Sequence, residues 1–122
     1  MKENKSNDFP FYFGFAHYGE EREVDATDGE KRMFEILLEM FEGKGYKPEQ
    51  LRLVRKSDNY VAAAVGDYDI ARFKATSRVT WIIFPYETGA VKHRLESVED
   101  VYSFSDMMDN QIASMTYVDF EK

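Results

Sequence analysis

The chain has 122 residues and a mass of 14.3 kDa, the size of one domain with its own hydrophobic core. Hydrophobic residues make up 43% of it, charged residues 32% and aromatic residues 16%, which excludes a disordered, collagen-like or coiled-coil chain. It has no cysteine, which excludes disulfides, cysteine-based zinc sites and thiol nucleophiles.

Two features of the sequence bear on location. The longest apolar run, Trp81 to Phe84, is far shorter than the roughly 20 residues that cross a bilayer. Residues 1–9 lack the apolar region of a signal peptide. We therefore expect a cytoplasmic protein without a membrane partner.

The net charge of −7 is unevenly distributed along the chain. Residues 1–50 carry 7 basic and 12 acidic residues, residues 51–95 carry 8 and 4, and residues 96–122 carry 1 and 7. A basic middle is thus flanked by two acidic parts. Either neighbouring elements neutralise each other through surface ion pairs, or the domain has one positive and one negative face.

The amino-terminal region begins with polar residues 1–8, which predict a disordered tail before a single domain over residues 9–122. Phenylalanine then occupies every odd position from Phe9 to Phe15, and this period of two predicts an edge strand. Pro10 restricts such a strand to an edge or to its first residues. The alternative is a hydrophobic arm that docks on a partner. Residues 19–27 are charged and predict a loop.

A first helix is predicted from Asp28, a favourable N-cap, to the glycines around Lys44. Its apolar residues from Met33 to Phe41 recur at helical spacing and form a broad stripe, so this helix should support the core.

Between the two acidic parts the spacing of the apolar residues changes from the helical repeat to the alternation that is typical of strands. Tight turns separate strands predicted over residues 51–55, 60–65, 68–75, 78–84 and 90–95. The fourth is apolar on both faces, which predicts a central strand covered on both sides. The short connections favour an antiparallel meander of four or five strands.

A second helix is predicted after the capping-box pair Ser97 and Asp100. Its apolar residues from Val98 to Met115 share one helical face, and Ser105-Asp106 is a candidate point of division into two helices. The fold class that follows is α+β: a two-layer sandwich in which an N-terminal and a C-terminal helix pack on one face of the meander.

The sequence lacks the parts that common catalytic sites require. It has no phosphate-binding glycine loop and no nucleophile elbow, and its two histidines, His17 and His93, stand in no metal-binding pattern. A nuclease motif ending at Lys74 would need a carboxylate at the position of Arg72. Asp67 and Asp69 are interpreted as residues of the tight turn and not as a cation-binding pair. We predict no enzyme, no cofactor and no metal, and expect both histidines to be solvated or hydrogen-bonded.

Alternation along the third strand predicts a basic surface. Tyr68, Ile70, Arg72 and Lys74 should share one side, whereas Ala71, Phe73 and Ala75 face the core. If the later strands are neighbours, five cations and two tyrosines converge on an exposed sheet face. The predicted binding residues are Arg72, Lys74, Arg78, Lys92, Arg94, Tyr60 and Tyr68. Cations interleaved with rings are typical of single-stranded nucleic-acid platforms.

The segments 57–60, 66–74 and 78–82 resemble an uncharacterised small bacterial domain with a similar pattern of tyrosine, glycine-aspartate, arginine-x-lysine and tryptophan-isoleucine. That domain is found alone or appended to exonuclease-like proteins. The resemblance covers about 30 of the 122 residues. It implies an accessory domain in a nucleic-acid context and supplies no catalytic residues.

Two functions follow from these patterns. The first is a non-catalytic intracellular binding module whose basic sheet face contacts nucleic acid or an acidic protein surface. The second is a small acidic inhibitor of the phage type, whose carboxylates imitate a nucleic-acid backbone and block a nuclease or another nucleic-acid-binding enzyme. Neither hypothesis specifies an oligomeric state.

Overall fold

In the computed structural model the residues described are 15–17, 20–22, 27–55, 60–89 and 91–122. The predicted disordered tail, most of the aromatic run and the turn predicted around Asp58 lie outside these residues. The described strands are β1 Phe15–His17, β2 Glu20–Arg22, β3 Leu51–Arg55, β4 Val61–Val65, β5 Tyr68–Ala75, β6 Thr80–Ile83 and β7 His93–Arg94. The α-helices are α1 Asp28–Gly43 and α2 Ser105–Ser114, and two 3₁₀ helices span Pro48–Gln50 and Val98–Phe104.

The larger sheet is an antiparallel meander in the order β3-β4-β5-β6-β7. This confirms the predicted α+β class and the sheet of antiparallel neighbours. Strands β6 and β7 are shorter than predicted. At the start of β6 the reason is a turn, in which the backbone N–H of Thr76 donates to Val79 O at 2.9 Å and its hydroxyl accepts from Val79 N at 3.1 Å.

Strands β1 and β2 form a separate antiparallel pair, and β1 lies alongside β3. The prediction of a loop over residues 19–27 is therefore wrong at Glu20–Arg22. Backbone pairing with β1 stabilises this short strand, and its charged side chains give no strand signal of their own.

Helix α1 begins one residue earlier than predicted, because Thr27 and not Asp28 is its N-cap. The Thr27 hydroxyl accepts from Glu30 N at 3.0 Å, while the Thr27 N–H donates to Glu30 Oε1 at 3.0 Å. This reciprocal capping box is encoded by the spacing Thr-x-x-Glu. At the other end Gly45 adopts the left-handed φ of +96° that ends the helix, as the glycine pattern predicts.

The second helical region divides at Ser105, where the 3₁₀ helix ends and α2 begins. Ser97 and Asp100 form the predicted capping box. Lys44, directly after α1, contacts the start of α2: its Nζ donates to Ser105 Oγ at 2.7 Å and Ser105 O at 3.2 Å, and lies 2.8 Å from Asp109 Oδ1.

The core lies between the helices and one face of the sheet. Its largest fully buried side chains are Phe34, Phe41, Phe73, Phe84, Met33, Ile36, Leu37, Leu51, Leu53, Ile70 and Ile82. Because residues of both α1 and α2 belong to this one cluster, the helices share a face of the sheet. The other face is also largely closed, since Ala62, Trp81 and Ile83 are buried there. This confirms the prediction that β6 is covered on both sides. It also corrects the expectation of an exposed sheet face, since Lys92 and Arg94 are exposed but Arg72 and Lys74 are half-buried.

The first turn of α1 rests directly on the end of β5. The Thr27 hydroxyl donates to the Ala75 carbonyl at 2.9 Å, and a Cβ added to Gly29 would lie 2.9 Å from the Cβ of Ala75. Since both atoms are fixed by backbone, neither can move aside without shifting the helix or the strand. Gly29 thus sets the distance between the helix and the sheet.

We expect Gly29→Ala to lower the free energy of unfolding by about 1–2 kcal/mol, because the cost of overpacking exceeds the helix propensity that alanine adds. The matched control is Gly43→Ala at the other end of α1, where an added Cβ meets nothing within 4 Å. That variant should be neutral or more stable by up to about 1 kcal/mol. Urea denaturation measures both, and equal stability of the two variants would contradict the close approach.

Candidate functional site: a cationic face of the sheet

The pairing register determines which side chains share a face, because directly opposed residues of antiparallel strands point the same way. Arg72 lies opposite Ala62 and Ile83, on the face away from the helices. In the next row Trp81 lies opposite both Lys74 and Arg94. We call this surface the cationic face, defined by Arg72, Lys74, Trp81, Lys92, Arg94 and Tyr60.

Trp81 is at the centre of the cationic face, with only 7% of its surface exposed. Lys92 Nζ lies 4.9 Å from the centroid of the indole, within the range of a cation–π contact. Tyr60 packs edge-on against the same ring system, with centroids 5.8 Å apart. Sequence reasoning did not include Trp81 in the site because its strand is apolar on both faces. Only the register with Lys74 and Arg94 reveals its position.

The cations of this face differ in how they are compensated. Arg72 Nε donates to Asp69 Oδ2 at 2.9 Å, and the Asp69 side chain is only 7% exposed. By contrast, among the residues that the structure describes, Lys74, Lys92 and Arg94 have no carboxylate within 4 Å. These three side chains therefore carry the uncompensated positive charge of the face.

Two residues predicted to share a side with Arg72 do not lie there. The pairing of β4 with β5 shifts between Ala63 and Ala64, so that Ala63 lies opposite Ala71 and Ala64 opposite Asp69. The extra residue, Ile70, is fully buried in the core.

This extra residue is a β-bulge, and it reverses which side chains of β5 point to which face. Asp69 therefore lies on the cationic face, where simple alternation predicts Ile70. Tyr68 moves to the opposite face, where it packs against Tyr117 with ring centroids 4.9 Å apart. The prediction that Tyr68 contributes to the basic surface is thus wrong.

Arg78 is exposed but lies in the turn between β5 and β6 and not within a strand. The Arg78 backbone N–H donates to the Thr76 hydroxyl at 3.2 Å, which fixes the start of the turn. Arg78 is therefore placed beyond the end of the cationic face.

His93 lies opposite Ile82, on the helix side of the sheet. Its Nε2 is 2.7 Å from Glu87 Oε1, and its ring packs on Phe104 with centroids 5.2 Å apart. This confirms the prediction of a hydrogen-bonded histidine for His93, whereas the side chain of His17 is outside the described residues.

Within the described parts of the chain, no three His, Cys, Asp or Glu side chains are grouped to hold a metal ion. No helix there has the length and apolar character needed to cross a bilayer.

The helical layer has its own charge network. Arg32 contacts Glu35 at 3.3 Å and Glu99 at 3.1 Å, and the Tyr102 hydroxyl donates to Glu39 at 2.5 Å. The hydrogen bond from Arg32 lowers the pKa of Glu99, and the bond to Glu39 raises the pKa of Tyr102.

The salt bridges between described residues therefore stay within one layer or within the sheet and its loops. None of them neutralises a strand cation with a helix carboxylate. The helical layer thus neutralises part of its own charge and, through the contacts of the described residues, none of the charge of the strand cations.

Comparisons with protein-family models, with curated proteins and with solved structures found no match to this chain.

Trp81 is the only tryptophan of the chain, so its fluorescence reports directly on this site. We expect Lys92→Ala to uncover the indole, shift its emission to longer wavelength and increase its quenching by acrylamide. The control is Lys122→Ala, which removes a similar cation 5.7 Å from the Tyr46 ring and should leave the emission unchanged. Identical spectra for Lys92→Ala and the unaltered protein would show that Lys92 does not cover Trp81.

Proposed function

We propose that this protein is a non-catalytic binding module whose cationic face docks an anionic partner. The observation that carries the proposal is the group of Lys74, Lys92 and Arg94, which surround one buried tryptophan and have no carboxylate within 4 Å among the described residues. Like charges held so close repel one another, and an anionic partner relieves that repulsion.

The spacing of these cations suits a partner with several negative groups. Neighbouring strands lie about 4.8 Å apart, which puts the backbones of Lys74 and Arg94 roughly 10 Å apart across β6. Lys92, directly before β7, and Arg94 are two residues apart along the chain, a distance of roughly 7 Å in extended backbone. An extended polyanion contacts several such positions at once, whereas a small anion contacts one.

A binding role fits this face better than catalysis. Asp69 is the one carboxylate that the described residues bring to it, and that group is held by Arg72. A single paired carboxylate supplies neither a metal-ligand set nor a free general base. The pKa shifts of Arg32, Glu99 and Tyr102 arise from hydrogen bonds within the exposed helical layer and not on this face.

The acidic-inhibitor hypothesis has less support from the contacts. A nucleic-acid mimic needs rows of free carboxylates, but Glu35 and Glu99 are bonded to Arg32, and Asp109 lies 2.8 Å from Lys44. The helical layer thus mixes both signs of charge. We also propose a cytoplasmic location, since a chain without cysteine gains nothing from an oxidising compartment.

Charge reversal tests the proposal. We expect Lys74→Glu with Arg94→Glu to weaken binding to polyanions at least tenfold, because each site changes from attraction to repulsion. The probes are a 20-nucleotide oligo(dT) and poly-glutamate, measured by Trp81 fluorescence over a range of salt concentrations. Binding of the unaltered protein should weaken as salt rises, since bound phosphates release counterions.

The matched control is Lys31→Glu with Lys47→Glu, which makes the same change in net charge outside the cationic face, in α1 and in the segment that follows it. It should reduce affinity only slightly. Equal loss in both double variants would mean that only net charge matters. Binding to neither probe would refute the proposed function.

A further inference from the structure

Strand β7 is the last strand of the five-stranded sheet, and in the described part of the chain no further strand pairs with its outer side. An unpaired strand edge offers a row of backbone donors and acceptors to another chain. Edges of this kind are common docking sites for extended peptides.

The backbone of β7 is oriented so that its cationic residues face outward. Leu95 donates its N–H to Thr80 O at 2.9 Å, and His93 lies opposite Ile82, so the backbone groups of these residues point toward β6. Backbone direction alternates along an antiparallel strand. The N–H and C=O groups of Lys92 and Arg94 therefore point away from the sheet.

The edge is also held in a fixed position. On the helix side, His93 is hydrogen-bonded to Glu87 and packed on Phe104. On the other side, Lys92 lies over Trp81. An edge that is already ordered loses little conformational entropy when a partner strand adds to it.

Charge selects the occupant of this edge. In a second copy paired through β7, Lys92 and Arg94 would meet the same cations, and like charges opposite each other are unfavourable. A strand that presents carboxylates to the cationic face would instead form cross-strand ion pairs with these two exposed side chains. The edge thus excludes its own copy and favours an acidic strand.

We propose that an extended acidic segment of a partner protein adds to β7 as a sixth strand. Its backbone bonds to the outward groups of Lys92 and Arg94, and its alternate carboxylates face the side chains of Lys92 and Arg94. This proposal rests on the proposed function and specifies the partner as a protein.

The probe is a seven-residue peptide of alternating Glu and Thr with blocked ends, tested on the full chain. Binding should slow hydrogen exchange of the Lys92 and Arg94 amides at least tenfold, with little change at Leu95, whose amide is already bonded. Two further peptides are N-methylated on all Glu or on all Thr residues. Because only one set of N–H groups faces β7, their affinities should differ at least tenfold.

A pair of protein variants provides a second measurement. Arg94→Pro and Arg94→Ala remove the same charge, but only proline removes the outward N–H, and an edge strand tolerates it there. We expect the proline variant to bind the peptide at least tenfold more weakly than the alanine variant, with oligo(dT) binding equal in both.

The outcomes separate this inference from the proposed function. Equal affinity of all three peptides, or binding without amide protection, overturns strand addition and leaves the cationic face as a simple electrostatic surface. Binding of oligo(dT) but not of the peptide overturns it in favour of nucleic acid. If the unaltered protein binds neither probe, the proposed function fails as well.

Discussion

The β-bulge in β5 is the constraint on which the organisation of this domain depends. By adding one residue opposite Ala63 and Ala64, it lets Ile70 join Ala71 in the core. The same insertion brings Asp69 to the cationic face, within 2.9 Å of Arg72. Without it the alternation of β5 would place Tyr68 beside the cations and leave Ile70 outside the core. One backbone irregularity thus fixes both the packing of the sheet and the charge pattern of its outer face.

A second consequence of the architecture is the separation of charge. The cations of β5 and β7 lie on the face away from the helices, whereas the carboxylates of α1 and the 3₁₀ helix pair locally with Arg32 and Tyr102. Because exposed pairs of this kind contribute little to stability, the fold does not depend on joining the two sets of charges. The strand cations remain available to a partner even though the chain has a net charge of −7.

The sequence predicts most of the fold because apolar periods of 3.6 and 2 identify the helices and strands, and short turns dictate antiparallel order. It misses three local features. The residues from Tyr68 to Ala75 are consistent with a regular strand and with a bulged one, since Ile70 and Ala71 are both apolar. The N-cap moves to Thr27 because a capping box outweighs a lone aspartate. Strand β2 depends on pairing with β1, which its charged residues do not encode.

Four of the five predicted cations of the candidate site lie on one face, but Arg78 does not, and the centre of the site was not predictable. Alternation correctly relates Lys74 to Arg72 and Lys92 to Arg94, but the position of Trp81 between them depends on pairing across three strands. This position limits the kind of recognition available. Base stacking requires an open ring face, whereas the Trp81 ring is covered by Lys92 and Tyr60 and is only 7% exposed. Because the indole ring is covered, the binding that we propose would depend on charge and not on base stacking. The outward backbone of β7 is then the feature that would distinguish an acidic protein strand from other polyanions.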